Sequence, residues 1–575
     1  MSPVLSLLLF VLLGPVPAAA AAEAEAVQFE QIYLSPIADF FAAVQGPDGS
    51  PASAIQRVGA RPQPALRDGK SARTLRIFVV GGSVAQVFDE RELERSLRSV
   101  LPGYAFEIVD CGVSSYDSYR DLLTVKEVLS HHPDLIIVMS GVNEAGHPGL
   151  DSMRSPRRAL RVLGKGLLAG RPLRALRLIL PDLKAPRGPE RIAADFEASL
   201  RAMARAAKER KVPMLFCTLP WNMRDMPPRG SLPLQDPAFF KAWRHFERRE
   251  FRKAAAGFRG CLGAPAGTDG SERRRREAFA HYYLARSLDA LGIPAAARSH
   301  YLAALDSQTP PMPRLNRLIR RVSGEEGAAL ADLERAFSEA SPKGLVGFTL
   351  FEDDMHWDRA ADPLVAAVIT DAAAGASRWN AGRSLAPVEA WDAGKLKEQV
   401  PDKWRLREAD PKQRAWTVFT IRAWDSQLAR EARLSERVVA LMREVYRCEP
   451  GLLKDPAGMK RWLKEKLAGN VWSADAAATL DEWWPAMLGH IGEMLLREGK
   501  PQESLALFDQ ALALDPQRSF LRLRRAVALA AMGKRDEARE ALELLRPETP
   551  KFPELESYLA EFTGNQGTAP GHSRQ

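Results

Sequence analysis

A short apolar run that stops at two glycines and a serine limits the folds open to this chain. Residues 77–80 are apolar and β-branched or aromatic, Gly81 and Gly82 follow, and Ser83 opens a helical pattern. Such a run favours a strand, and open α/β folds place their ligands at the carboxyl ends of strands. The glycines permit a sharp turn and a close approach of substrate. Ser83 is therefore a candidate nucleophile, although the same motif also forms phosphate-binding turns.

Two further segments predict strands of the same sheet. Residues 106–110 lead into Gly112, and residues 135–139 lead into Asn143. Backbone N–H groups and a side-chain amide at strand ends are suitable donors for an oxyanion.

A late acidic segment supplies the remaining groups. Asp353 stands three residues before His356, ahead of an apolar helix predicted over about 360–370. A serine nucleophile needs a base for its proton and an acceptor that orients that base. An ordinary solvated turn around Asp353 and Asp354 is the alternative interpretation.

In the order of these blocks the chain resembles the SGNH, or GDSL-like, serine hydrolases. The resemblance covers about residues 75–220 and 313–371. The four blocks are Gly81-Gly82-Ser83, Gly112, Gly141-Val142-Asn143-Glu144 and Asp353-Asp354-Met355-His356.

The resemblance implies a role for each block. Ser83 would be the nucleophile, His356 the base and Asp353 its orienter. The backbone N–H groups of Ser83 and Gly112 and the side-chain amide of Asn143 would hold the oxyanion.

The chain departs from the family pattern at two positions, and one assignment stays open. Gly82 stands where the family has an aspartate before the serine, and Glu144 replaces the usual aspartate of the third block. Neither change removes a catalytic group. The spacing favours Asp353 as the orienter of His356, and the neighbouring Asp354 stays open as the alternative.

Length and composition frame this core. A chain of 575 residues predicts two or three domains. An apolar content of 46% and a charged content of 27% indicate a globular protein rather than a disordered or membrane-embedded one. The net charge of +9 is a modest surplus of 81 basic over 72 acidic residues, and nucleic acid is not an expected partner.

The amino terminus predicts export. Residues 4–13 are apolar apart from Ser6, and a zone of small residues extends over 18–22, as in a signal peptide covering 1–22. No basic residue precedes the apolar stretch, which is a departure from the usual pattern. No later run approaches the length of a membrane span. We expect a periplasmic or extracellular protein.

The cysteines do not predict a disulfide framework or a metal site. The chain has four, widely spaced, without a Cys-x-x-Cys or a histidine cluster. No cofactor is expected. The four are Cys111, Cys217, Cys261 and Cys448.

Two segments have the spacing of tetratricopeptide repeats. Residues 236–309 interrupt the hydrolase-like region, and residues 436–563 show a period of 34 in which Gly499 is followed by Gly533. The second segment predicts a scaffold that binds a protein partner. In the insertion the pattern comprises Ala285, Leu288, Gly292, Ala297, Tyr301 and Ala304.

These signals predict an α/β, flavodoxin-like, three-layer core with an all-α insertion and an all-α C-terminal repeat domain. The expected boundaries are 1–22 signal peptide, 23–71 extension, 72–235 and 310–376 core, 236–309 insertion, 377–435 linker, 436–563 repeats and 564–575 disordered tail.

A basic segment over 153–181 is not explained by any of these motifs. Eight basic residues and no acidic one lie between Arg154 and Pro181. The segment predicts either a solvated helical cap or a surface that recruits an anionic membrane or polysaccharide to the site. The positions expected to recruit are Arg157, Arg161, Lys165 and Arg174.

The sequence therefore predicts an exported serine esterase that acts on an acyl ester, with an envelope lipid or glycan as a candidate substrate. Two alternatives remain. One is an inactive envelope scaffold that binds partners through its repeats. The other is transfer of the acyl group to a polysaccharide, which the same residues would catalyse.

Overall fold

The computed structural model describes six stretches of the chain and isolated positions between 163 and 175 and between 455 and 461. The predicted signal peptide, linker and tail lie outside the described residues, as do Arg157, Arg161, Lys165 and Arg174. The six stretches are 35–144, 188–230, 232–263, 270–375, 474–548 and 554–563.

The described residues belong to two compact units. The first unit is drawn from Met1–Trp221, Thr309–Ala340 and Met355–Lys397. The second is drawn from Asn222–Gln308, Ser341–Asp354 and Glu398–Gln575.

A five-stranded parallel sheet forms the centre of the first unit. When these five strands are numbered by their order in the chain, they lie side by side as 2-1-3-4-5, which is the order of flavodoxin-like folds. The predicted α/β class with a parallel sheet is confirmed. The strands are β4 (Thr74–Gly81), β5 (Ala105–Gly112), β6 (Leu135–Met139), β7 (Met214–Cys217) and β8 (Ala329–Ala331).

A small antiparallel sheet precedes it in the chain. Its three strands lie within the predicted N-terminal extension and pair in sequence order. They are β1 (Phe41–Gln45), β2 (Pro51–Ile55) and β3 (Leu66–Arg67).

Sixteen helices are described in these stretches. In the first unit they are α1 (Ser83–Val87), α2 (Glu90–Val100), α3 (Ser118–Val128), α4 (Pro189–Glu209), α9 (Met312–Glu326), α10 (Leu333–Ala340) and α11 (Asp362–Gly375). In the second they are α5 (Pro237–Glu247), α6 (Phe251–Gly260), α7 (Gly270–Ala290), α8 (Pro294–Asp306), α12 (Ala474–Arg497), α13 (Pro501–Leu514), α14 (Ser519–Ala531), α15 (Arg535–Glu543) and α16 (Leu555–Thr563).

Helices in two groups pack with the parallel sheet. Helix α2 packs against α11, whereas α3 and α9 pack against α4. Every residue of β4 after Thr74 is buried, as expected for a strand covered on both faces. Asp117 caps α3 by accepting the N–H of Arg120, which fixes where the chain turns back from β5.

In the described residues, the second unit is built mainly of helix pairs. Successive helices pack in the series α5 to α8 and again in the series α12 to α16. Small residues allow the close approach that the repeat pattern predicts: a Cβ added at Gly492 would lie 3.0 Å from the Phe508 ring. The predicted pattern residues Ala285, Ala297 and Tyr301 are fully buried.

Candidate active site

The register of the parallel sheet brings the first three predicted blocks to one edge. Gly81 lies opposite Gly112 on β5 and opposite Met139 on β6. A Cβ at Gly81 would lie 2.3 Å from the carbonyl oxygen of Met139, so a side chain does not fit there. Ser83 begins α1 two residues after Gly81, at the carboxyl edge where open α/β sheets bind their ligands.

Ser83 and His356 are brought together from positions 273 residues apart. Ser83 Oγ lies 2.7 Å from Nε2 of His356, which is hydrogen-bonding distance. Ser83 is half-buried and His356 is buried. A neutral imidazole protonated on Nδ1 would accept the hydroxyl proton through Nε2.

The residue after His356 is anchored to the start of α11. Trp357 donates its indole N–H to Oδ1 of Asp362 over 2.8 Å. Burial raises the pKa of Asp362 to about 8, against the smaller opposing effect of the indole hydrogen bond. This contact fixes the backbone that carries His356.

Asn143 stands beside the turn that carries Ser83. Its Nδ2 donates to the carbonyl oxygen of Tyr116 over 3.1 Å, and a Cβ added at Gly82 would lie 2.6 Å from the same nitrogen. An amide nitrogen has two N–H donors. The contact with Tyr116 uses one of them and orients the other.

The departure at Glu144 has a structural explanation. Its carboxylate accepts the backbone N–H and the hydroxyl of Ser118, both over 2.8 Å. The third block is therefore tied to the start of α3. The glutamate side chain, which is one methylene longer than aspartate, reaches from the third block to Ser118.

Gly112 makes a contact that the sequence does not predict. Its N–H donates to Oδ1 of Asp110 over 2.7 Å. Burial raises the pKa of Asp110 to about 7, although Arg61, 3.4 Å away, opposes the shift. The N–H that the resemblance assigns to the oxyanion is thus engaged by a carboxyl group in this state.

The turn after β5 contains a second feature that sequence reasoning missed. The N–H of Tyr116 bonds to the carbonyl of Val113 over 3.1 Å, and Ser115 has a left-handed φ of 67°. Glycine is the usual residue at such a position. Because serine stands there, the sequence contains no signal for the turn, which directs the Tyr116 carbonyl to Asn143.

The loop of Asp353 and Asp354, in the second unit, is held by Asn222. This residue is fully buried, donates Nδ2 to the carbonyl of Asp353 and donates its backbone N–H to that of Asp354, each over 2.9 Å. Its Oδ1 accepts the N–H of Asp225 over 3.0 Å. Asn222 belongs to no predicted motif, so the sequence contains no signal for this contact.

Asp354 has an ion-pair partner within the same unit. Arg229 Nη2 lies 2.9 Å from Asp354 Oδ2, and the side chain of Asp354 is fully buried. A buried carboxylate is stabilised by such a pair. The contact gives Asp354 a structural function of its own.

Among the described residues, no group of three or more His, Cys, Asp or Glu side chains is arranged to hold a metal ion. Cys111, Cys217 and Cys261 are buried free thiols, and Cys448 lies outside the described residues. In the part of the chain that is described, no helix has the length and apolar character of a membrane span.

Comparison with known proteins identifies the C-terminal repeats. Residues 495–561 match the family model of the tetratricopeptide repeat. A TPR repeat-containing thioredoxin of Arabidopsis thaliana is 38% identical over 79 residues, which are 14% of this chain. The match covers only 11% of that relative's length. Residues 495–561 of the C-terminal array therefore form a tetratricopeptide repeat.

Two solved structures show weak similarity. A GDSL-like lipase from Bacteroides thetaiotaomicron is 12% identical with a TM-score of 0.25, and the match covers 52% of this chain and 86% of the lipase. A mutant acetyl-xylooligosaccharide esterase from Geobacillus is 14% identical with a TM-score of 0.26, covering 52% of this chain and 94% of the esterase.

Proposed function

We propose that the chain is a serine hydrolase that cleaves acyl esters. The observation that supports this most directly is the 2.7 Å contact between Ser83 Oγ and His356 Nε2 at the carboxyl edge of the sheet. Ser83 attacks the ester carbonyl while His356 accepts its proton and then donates it to the leaving alkoxide. Water, activated by the same base, releases the acid from the acyl-enzyme.

Oxyanion stabilisation is assigned to Ser83, Asn143 and Gly112. The free N–H of the Asn143 amide and the backbone N–H of Ser83 are the first two donors. Gly112 becomes a donor only when its N–H leaves Asp110, to which it donates in this structure. We therefore assign most of the stabilisation to Ser83 and Asn143.

Asp353 is proposed as the orienter of His356. The spacing in the sequence favours it, and the ion pair of Asp354 with Arg229 supports the same choice by engaging the competing carboxylate. An acceptor on Nδ1 would hold the imidazole in the tautomer that the reaction requires.

The test is turnover of p-nitrophenyl acetate, butyrate and palmitate by the purified full chain. Ser83→Ala and His356→Ala should reduce turnover to background, and Asn143→Ala should reduce kcat by about 100-fold. Ser114→Ala is the matched control, since this nearby hydroxyl bonds to Gln86 and has no assigned role. Full activity of Ser83→Ala would refute the assignment. Product analysis with an added sugar alcohol separates hydrolysis from acyl transfer.

We also propose that the mature enzyme is exported and that its basic segment recruits an anionic envelope lipid or glycan. The stretch between Arg154 and Pro181 contains eight basic residues and no acidic one, and although Arg171 pairs with Asp39 of the extension, this excess of cations supports recruitment. Replacing Arg157, Arg161, Lys165 and Arg174 by Gln should abolish salt-sensitive binding to anionic vesicles or an acidic polysaccharide and leave short-ester turnover unchanged. Amino-terminal sequencing of the secreted chain tests removal of residues 1–22.

A further inference from the structure

Within the second unit, the first helices of the C-terminal repeats contact a helix of the insertion. Phe240 of α5 belongs to one apolar cluster with residues of α14, α15 and α16. Its ring meets that of Tyr558 edge to face, with centroids 4.9 Å apart. Both side chains are buried, so the contact excludes water.

Charged contacts extend the same face. Arg244 of α5 donates Nε and Nη2 to the two carboxylate oxygens of Glu561, over 2.6 and 3.0 Å. Its guanidinium also lies over the Tyr558 ring, 5.3 Å from the centroid. Arg248, one turn further along the chain, pairs with the same carboxylate. Bidentate pairs of this kind fix geometry as well as charge.

A buried arginine joins α5 to two helices of the repeats. Arg524 of α14 lies 2.5 and 2.7 Å from the oxygens of Glu493 on α12. It also donates to Tyr558 Oη over 3.1 Å and to Glu247 of α5 over 3.4 Å. The exposed fraction of Arg524 is 4%, so its charge depends on these partners.

A third aromatic contact completes the face. The guanidinium of Arg497, the last residue of α12, lies 5.2 Å from the centroid of the Trp243 ring. Helix α5 therefore touches α12, α14 and α16, the first helix of each successive repeat. Tetratricopeptide arrays bind ligands on a surface shared by successive repeats.

We propose that the ligand of the C-terminal repeats is helix α5 of the same chain. The contacts are of the type that dominates protein interfaces: two aromatic anchors, Phe240 and Trp243, and paired arginines. The tether between insertion and repeats makes the binding intramolecular, which raises the effective concentration of the helix. While α5 is bound, a second protein cannot occupy this face. The inference is independent of the esterase proposal.

The test reverses charges in the full chain and follows amide hydrogen exchange in α5 and α16. Glu561→Arg should increase exchange in both helices at least about tenfold, because it faces Arg244 and Arg248 with a like charge. Combining it with Arg244→Glu and Arg248→Glu should restore protection. Asp509→Arg is the control, since Asp509 pairs with Arg525 inside the repeats. Amide exchange in α5 of the Asp509→Arg chain should match that of the unaltered protein.

A labelled peptide of residues 234–249 provides the second measurement. It should bind the chain that carries Phe240→Ala and Arg244→Glu, in which the face has lost its occupant, at least tenfold more tightly than the unaltered chain. Equal binding to both chains, or unchanged exchange in Glu561→Arg, would overturn the proposal. Ester turnover of the same samples reports separately on the active site.

Discussion

At the scale of single residues, the edge of the sheet depends on hydrogen bonds that no motif encodes. The order of blocks predicted the strands that end at Gly81, Gly112 and Met139, because segments rich in β-branched and aromatic residues that end at small residues are strong local signals. It could not predict that Asp110 folds back onto the N–H of Gly112. That contact depends on a side-chain rotamer and on burial, which local sequence does not determine.

The raised pKa of Asp110 predicts a change of stability with pH. Between about pH 4 and pH 7 the unfolded chain has released this proton and the folded chain retains it, so stability falls as the pH rises. Asp110→Asn should remove that part of the slope and keep an oxygen acceptor for Gly112. Urea unfolding at pH 4.5 and pH 7.5 measures how the free energy of unfolding of each chain changes with pH. If the free energy of unfolding changed equally with pH in Asp110→Asn and in the unaltered protein, the raised pKa of Asp110 would be contradicted.

At the scale of elements, helix α7 of the insertion holds the loop that supports Asp353. Tyr282 Oη and Arg286 Nη1 each donate to the carbonyl of Arg224 over 3.1 Å. Arg224 also pairs with Asp289 over 2.8 Å. These contacts from α7 hold the loop that contains Asn222 in place. The repeat pattern predicted these helices, but a pattern of small residues says nothing about which loop they hold.

Asn222→Ala should lower kcat of the proposed esterase by about 100-fold with little change in KM, because small displacements of a supporting loop misplace catalytic groups. The pH profile of kcat/KM should shift as well, since Asp353, the proposed orienter of His356, moves. Asn316→Ala is the matched control. Asn316 is equally buried and bonds twice to the backbone of Leu219, each over 2.9 Å. A normal pH profile in Asn222→Ala would assign Asn222 to stability only.

At the scale of the whole molecule, the second unit is assembled from distant parts of the chain. Residues 222–308 and the C-terminal repeats share one unit, and Arg524 contacts side chains of both. Repeat periodicity predicted both helical segments. It could not predict their pairing, because side chains such as Phe240 and Glu561 have ordinary positions within their own helices.

Arg524→Ala should reduce the free energy of unfolding by about 3 kcal/mol, because buried Glu493 loses one of its two arginine partners and keeps only Arg497. Arg525→Ala, one residue along, should cost less than about 1 kcal/mol, since its pair with Asp509 is partly exposed. Urea denaturation followed by tryptophan fluorescence measures both. Equal losses in the two variants would contradict the proposed role of the buried pair.

The distance in sequence between Arg244 and Glu561 has a consequence for synthesis. The two residues are 317 positions apart, so at 5–20 residues per second the ribosome needs roughly 15–60 s to supply the second after the first. During that interval Phe240 has no cover from Tyr558 of α16, and the nascent chain presents an adhesive surface. A chain that terminates early, before residue 555, would keep that surface for its lifetime and become a client of chaperones and proteases.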